Sequence, residues 1–175
     1  KETLDGNPGD YRVLHDPAHW PNVGMILGVE DLWGYGYFVF KRYAQFLAFT
    51  QNQNPDTASS YLKFEKFPPI LSMLRCRFAF LADKNETIVR IPDPMPRLQL
   101  IREWSVMTDR DAIFKALLDP LFNPRKTVLL EAPPLPEPEE GGGGLGRGSL
   151  LNASTDALEV SAQLPRAAIL LITDP

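Results

Sequence analysis

Arg77-Phe78-Ala79-Phe80-Leu81-Ala82-Asp83-Lys84-Asn85-Glu86-Thr87-Ile88-Val89-Arg90-Ile91 reads as strand, turn and strand. Arg77 to Asp83 is a strand candidate, Asp83 to Glu86 supplies the polar turn, and Thr87 to Ile91 is the hairpin partner. A hairpin this well marked places β structure in the middle of the chain, so the segments around it decide the fold class. Upstream, Tyr11 to Leu14 is a short strand candidate and residues 15–32 are loop-rich, punctuated by Pro17, Pro21, Gly24 and Gly28. Trp33 to Thr50 then turns helical. Phe40, Tyr43 and Leu47 form an apolar stripe at helical spacing with Val39 and Phe46 beside it, and Lys41, Arg42 and Gln45 share the opposite side. Pro68-Pro69 opens a short helix, Ile70 to Leu74.

Downstream, Leu98 through Val106 reads as one strand. Thr108 or Asp109 caps a helix carrying Ile113, Phe114, Leu117 and Leu118, which Asp119-Pro120 stops. Thr127 to Glu131 is a strand, Leu158 to Gln163 alternates as a half-buried strand, and Ala167 to Thr173 is apolar enough for a central one. The whole reads as α+β, one mixed sheet with about three helices, in a single domain over 1–175. A long Pro/Gly-rich excursion at 132–149, with Pro133, Pro134, Pro136, Pro138 and Gly141 to Gly144, reads as a flexible loop.

The chain has 175 residues, 44% of them hydrophobic and 23% charged, which suits one globular domain with a real core. Its formal net charge is -4 and no basic cluster stands out, so neither nucleic acid nor a polybasic membrane contact is expected. The longest purely apolar run near the end, Ala167 to Ile172, falls far short of a bilayer-spanning helix. With neither an initiating Met nor a signal-peptide pattern at Lys1, the chain reads as an excised segment or a processed product. The single cysteine, Cys76, lies among apolar residues and reads as buried and inert.

The residues with chemical capacity are few. Gly141 to Gly148 has the glycines of a phosphate cradle but lacks the Lys-Ser/Thr that ends one, and it follows Pro-Glu repeats. His15-Asp16-Pro17-Ala18-His19 offers two histidines four apart, too few for zinc without a third ligand, and reads as a surface loop. Asp109 and Asp111 resemble paired carboxylates, but a helix start explains them electrostatically. No nucleophile motif is present, so no catalytic residue, metal or cofactor is assigned. Trp104 reads as core. Trp33 and Tyr35 flank glycines at a helix start and are read either as core or as a stacking surface for sugars. Arg42 is read either as a structural ion pair with Glu30 or Asp31, or as a site for an anionic phosphate.

Several short motifs carry a resemblance in their order and spacing. They are Asn22-Val23-Gly24-Met25, Asp31-Leu32-Trp33-Gly34-Tyr35-Gly36 leading to Lys41-Arg42-Tyr43, and Leu74-Arg75-Cys76-Arg77-Phe78. Pro96-Arg97, Thr108-Asp109-Arg110-Asp111 and Phe122 to Glu131 follow. Together they resemble the extracytoplasmic region of YfhO-type bacterial multi-pass membrane proteins, which are grouped with glycosyltransferases that use lipid-linked sugars. Where that family usually reads Gly-Tyr-Asp-Pro, this chain has Gly36 and Tyr37 in the places of Asp and Pro. The resemblance implies an extracytoplasmic segment of a larger protein, partnered by that protein's transmembrane portion, with an accessory or acceptor-recognition role in cell-envelope polymer glycosylation. The segment itself is not expected to be catalytic. Ligand contacts are expected at Asn22, Trp33, Tyr35 and Arg42, to an anionic glycopolymer or a lipid-phosphate sugar. The alternative is a stand-alone carbohydrate-binding or protein-interaction module.

Overall fold

The computed structural model describes residues 1–34, 39–138, 144–154 and 157–174. The chain is α+β and divides into two compact units, Lys1–Pro96 with Asp174–Pro175, and Arg97–Thr173.

The first unit is built on a three-stranded mixed sheet. β1 (Arg12–His15) runs parallel to β2 (Cys76–Phe80), which pairs antiparallel with β3 (Ile88–Arg90). The β2–β3 hairpin is the one the sequence marks. Its turn is held by Asp83, whose carboxylate accepts from the backbone N–H groups of Asn85 and Thr87 and from the Thr87 hydroxyl. Those bonds hold the exposed Asp83 carboxyl below its ordinary range.

Side-chain alternation sends Leu14 and Ala79 to one face of this sheet and Val13 and Phe78 to the other. The first face forms the main core with Leu32, Trp33, Leu47, Ala48, Leu62, Leu71 and Ile91. The second packs Leu4 against Val13 and Phe78, with Tyr11, Leu27 and Phe80 around them. α1 (Glu2–Asp5) supplies Leu4, and α2 (Val23–Leu27) supplies Leu27.

α3 (Lys41–Thr50) brings Ala44, Leu47 and Ala48 into the main core. Leu47 and Tyr43 lie on the expected inner stripe, but Phe40 is 78% exposed. The helix begins one residue later, so Phe40 stands at the cap position, outside the helical phase. Gln45 was expected on the polar side and is buried instead. The segment carrying Ala58, Leu62, Phe64 and Phe67 folds back onto the same core and covers a second side of the helix. Buried Gln51 latches that segment: its amide oxygen accepts from the N–H groups of Glu65 and Lys66, and its amide nitrogen donates to the Lys66 carbonyl. A 3-10 turn, Pro69–Leu74, follows the two prolines.

In the second unit, β4 (Leu98–Ile101) pairs antiparallel with β9 (Ile169–Ile172). β5 (Glu103–Val106) pairs parallel with β6 (Thr127–Leu130), the crossover being α4 (Arg110–Leu117). Asp109 caps α4 through its carboxylate, which accepts from the Ala112 N–H at 2.7 Å. β7 (Arg147–Ala153) and β8 (Leu158–Gln163) form an antiparallel ribbon.

Four expectations change here. Among the described residues the mixed sheet is accompanied by three two-stranded ones. The stretch Leu98–Val106 is two strands, because the ladder breaks at Arg102 and each half takes a different partner. The apolar C-terminal strand is not central: among the described residues β9 pairs only with β4, and its side chains are half-buried or exposed. The excursion expected over 132–149 also ends earlier, since Arg147 to Ser149 already belong to β7.

Candidate functional site

The residues singled out near the start of the chain are set by the course of the segment between β1 and α3. After β1, the Asp16 carboxylate accepts from the Ala18 N–H at 3.0 Å and pairs with the His19 ring at 2.9 Å, closing a turn. Asn22 then adopts left-handed backbone, φ 56°, at the start of α2. Gly24 lies where the chain passes close to itself: a Cβ there would meet the Val29 carbonyl at 2.8 Å and the Asp31 side chain at 3.1 Å. The return strand hydrogen-bonds to β1, Val13 N–H donating to Glu30 O and Leu32 N–H donating to Val13 O.

That return brings Asp31 to His15. The Asp31 carboxylate lies 2.6 Å from the His15 Nδ1 and also accepts from the His15 backbone N–H at 3.2 Å. His15 is buried, stacked on Phe80 at 4.7 Å with Trp20 at its edge. The histidine pair is therefore not a surface loop at both ends. His15 closes β1 in the interior, and only His19 stands at the surface. Among the described residues no group of three or more His, Cys, Asp or Glu side chains is arranged to hold a metal ion.

Arg12 reaches across the same region. Its Nη2 donates to the Asp31 carbonyl at 2.8 Å, and its Nε lies 4.0 Å from Glu30. Tyr43 donates its hydroxyl to the Leu32 carbonyl at 2.7 Å. Burial pushes that hydroxyl up to about 12, with Arg12 opposing the shift. Burial likewise pushes the Cys76 thiol up to about 12, so it stays protonated and inert at neutral pH.

Arg75 is the strongest electrostatic feature of the first unit. Its side chain is fully buried, its backbone is left-handed at φ 62°, and it ends the 3-10 turn just before β2. The guanidinium pairs with Asp10, Glu30 and Asp174, the last at 2.8 Å. One cation thus fastens three segments distant in sequence. Sequence reasoning quoted Arg75 as part of a motif and gave it no role. The available signal was a charged residue inside the apolar run Leu74-Arg75-Cys76.

The four expected ligand residues separate. Asn22 is exposed and its amide oxygen lies over Gly34, 3.3 Å from where a Cβ would stand. Trp33 is only 3% exposed: it packs against Tyr43 and Phe64 and donates its Nε1–H to the Ser60 carbonyl at 3.2 Å. It is core, and presents no free ring face to a sugar. Tyr35 lies outside the described residues. Arg42 is exposed in the first turn of α3. Of the two partners expected for it, Glu30 pairs with Arg75, and Asp31 with His15 and the Arg12 side chain.

No protein-family model, curated protein or solved structure matches the chain.

Proposed function

We propose that the chain is an extracytoplasmic segment of a bacterial membrane protein related to YfhO-type glycosyltransferases, with an accessory or acceptor-recognition role and no catalysis of its own. One observation carries this reading. Within the first unit, several residues of the motifs that bear the resemblance do their work in the interior, as scaffold. Gly24 makes room for Asp31, Asp31 holds His15, Trp33 fills the core, and Arg75 clasps Asp10, Glu30 and Asp174. Residues spent on holding a fold together suit a domain that supports or presents a surface rather than one that performs group transfer. Among the described residues of the expected ligand set, Asn22 and Arg42 are exposed, and they are the contacts proposed for that surface.

Two measurements test the proposal. External protease added to intact bacteria expressing the parent protein should cut within this segment, and complete protection would place it on the wrong side of the membrane. The isolated chain should leave a lipid-phosphate-linked sugar donor unchanged in the presence of glycerol-phosphate polymer. Turnover by the isolated chain would overturn the non-catalytic half.

A further inference from the structure

The second unit contains a cleft of about 1010 Å³ at the point where the Leu98–Val106 stretch changes partners. Arg102 occupies the break between β4 and β5, Trp104 follows it on β5, and Arg125 and Lys126 lead into β6 across the cleft. We infer that this cleft binds an anionic saccharide, the three cations meeting its acidic group and Trp104 meeting a sugar ring.

Charge comes first. The whole chain carries a formal net charge of -4, yet three cationic side chains line this one concavity. Arg102 and Arg125 are half-buried, and a guanidinium that has given up part of its water gains most from an anionic oxygen pair presented in its own plane. Hydrogen bonds position both arginines. The Arg102 Nη2 donates to the Gly144 carbonyl at 3.1 Å, the Arg125 N–H donates to the Asn123 side chain at 3.0 Å, and the Arg125 carbonyl accepts the Gln99 amide.

The remaining lining decides the class of ligand. Glu103 and Glu137 also face the cleft, and Glu103 already accepts a hydroxyl hydrogen bond, from Thr127 at 3.1 Å. Carboxylates among cations repel a continuous phosphate backbone but accept well from the hydroxyls of a sugar. Trp104 adds an aromatic surface suited to the apolar C–H side of a pyranose. Ligand pockets commonly span roughly 300–1,000 Å³, so this cleft has room for two or more sugar rings rather than a lone ion. The acidic group is a phosphate or a carboxylate, since a guanidinium fork reads both.

The inference stands independently of where the chain resides in the cell. Its test is calorimetric titration of the full 175-residue chain with a phosphorylated oligomannose and with tetragalacturonate, each against its uncharged counterpart. At least one anionic sugar should bind about tenfold or more tightly than its neutral form, weakening as salt is raised, and the tighter arm identifies the acidic group. Arg125→Gln with Lys126→Gln should weaken that binding about tenfold or more, and Lys84→Gln, at an exposed position outside the cleft lining, should leave it unchanged. Lys126→Gln alone, at an exposed position, should weaken it in the same direction with an unchanged melting curve. Trp104→Phe should retain most of the affinity and Trp104→Ala should lose it. Equal affinity for charged and neutral sugars would overturn the inference, as would sensitivity to Lys84 without sensitivity to Arg125 and Lys126.

Discussion

Removing the cation at position 75 should cost the first unit far more than removing any one of its acids. The Arg75 side chain is 0% exposed, while Asp10, Glu30 and Asp174 are 57%, 47% and 21% exposed. Breaking a buried ion pair by deleting one partner costs about 3–5 kcal/mol. Here Asp10 and Glu30 can turn into water once the guanidinium is gone, which places Arg75→Met near the lower end, about 3 kcal/mol. Met keeps a similar length of apolar side chain and the same left-handed backbone, so the change reads the charge and its hydrogen bonds. Glu30→Gln leaves two carboxylates on the cation and relieves their mutual repulsion, so its cost should stay below about 1 kcal/mol. Urea unfolding followed by fluorescence measures both. Trp20 and Trp33 report on the first unit, and Trp104→Phe silences the second. With a urea slope of about 1–1.5 kcal/mol per molar, Arg75→Met should lower the first unit's midpoint by about 2–3 M. A shift no larger than that of Glu30→Gln would refute the view that a buried cation organises this unit.

Leu47→Ala should destabilise the same transition by about 2–5 kcal/mol, because Leu47 is fully buried and its loss leaves a cavity; a drop under about 1 kcal/mol would mean the helix face is not core. Alkaline stability should follow Cys76 and Tyr43. Burial raises Cys76 from 9.0 and Tyr43 from 10.0, each to about 12, so the folded chain keeps protons that the unfolded chain releases. Stability is then undiminished by these groups below pH 9 and falls as pH rises from 9 toward 12, by up to about 1.4 kcal/mol per pH unit for each group. Urea midpoints taken across that window should decline less steeply in Cys76→Ala than in the parent chain, and identical slopes would count against the buried thiol.

The sequence by itself determined the local elements, because each is written in neighbouring residues. The β2–β3 hairpin follows from two apolar runs around Asp83, whose carboxylate organises its own turn. The α4 start follows from Asp109, the short 3-10 turn from Pro68-Pro69, and the inner stripe of α3 from helical spacing. The inertness of Cys76 was legible for the same reason, since its neighbours are apolar. Partner choice was not legible. Nothing in residues 98–106 announces that the ladder breaks at Arg102, because both halves have strand chemistry and only β9 and β6, tens of residues away, divide them.

The same holds for the candidate sites. Local pattern places Trp33 beside two glycines, which suits a surface turn as well as a core, and only the returning segment at Ser60 and Phe64 buries it. His15 reads as half of a polar loop until Asp31 folds back to meet it, and Arg75 gains its meaning from three carboxylates remote in sequence. Arg102 is remote in sequence from the adjacent pair Arg125-Lys126, yet β5 and β6 bring them to one cleft. Short-range chemistry fixes what each segment becomes. The burial of a charge and the convergence of cations are properties of long-range packing, which only the tertiary structure decided.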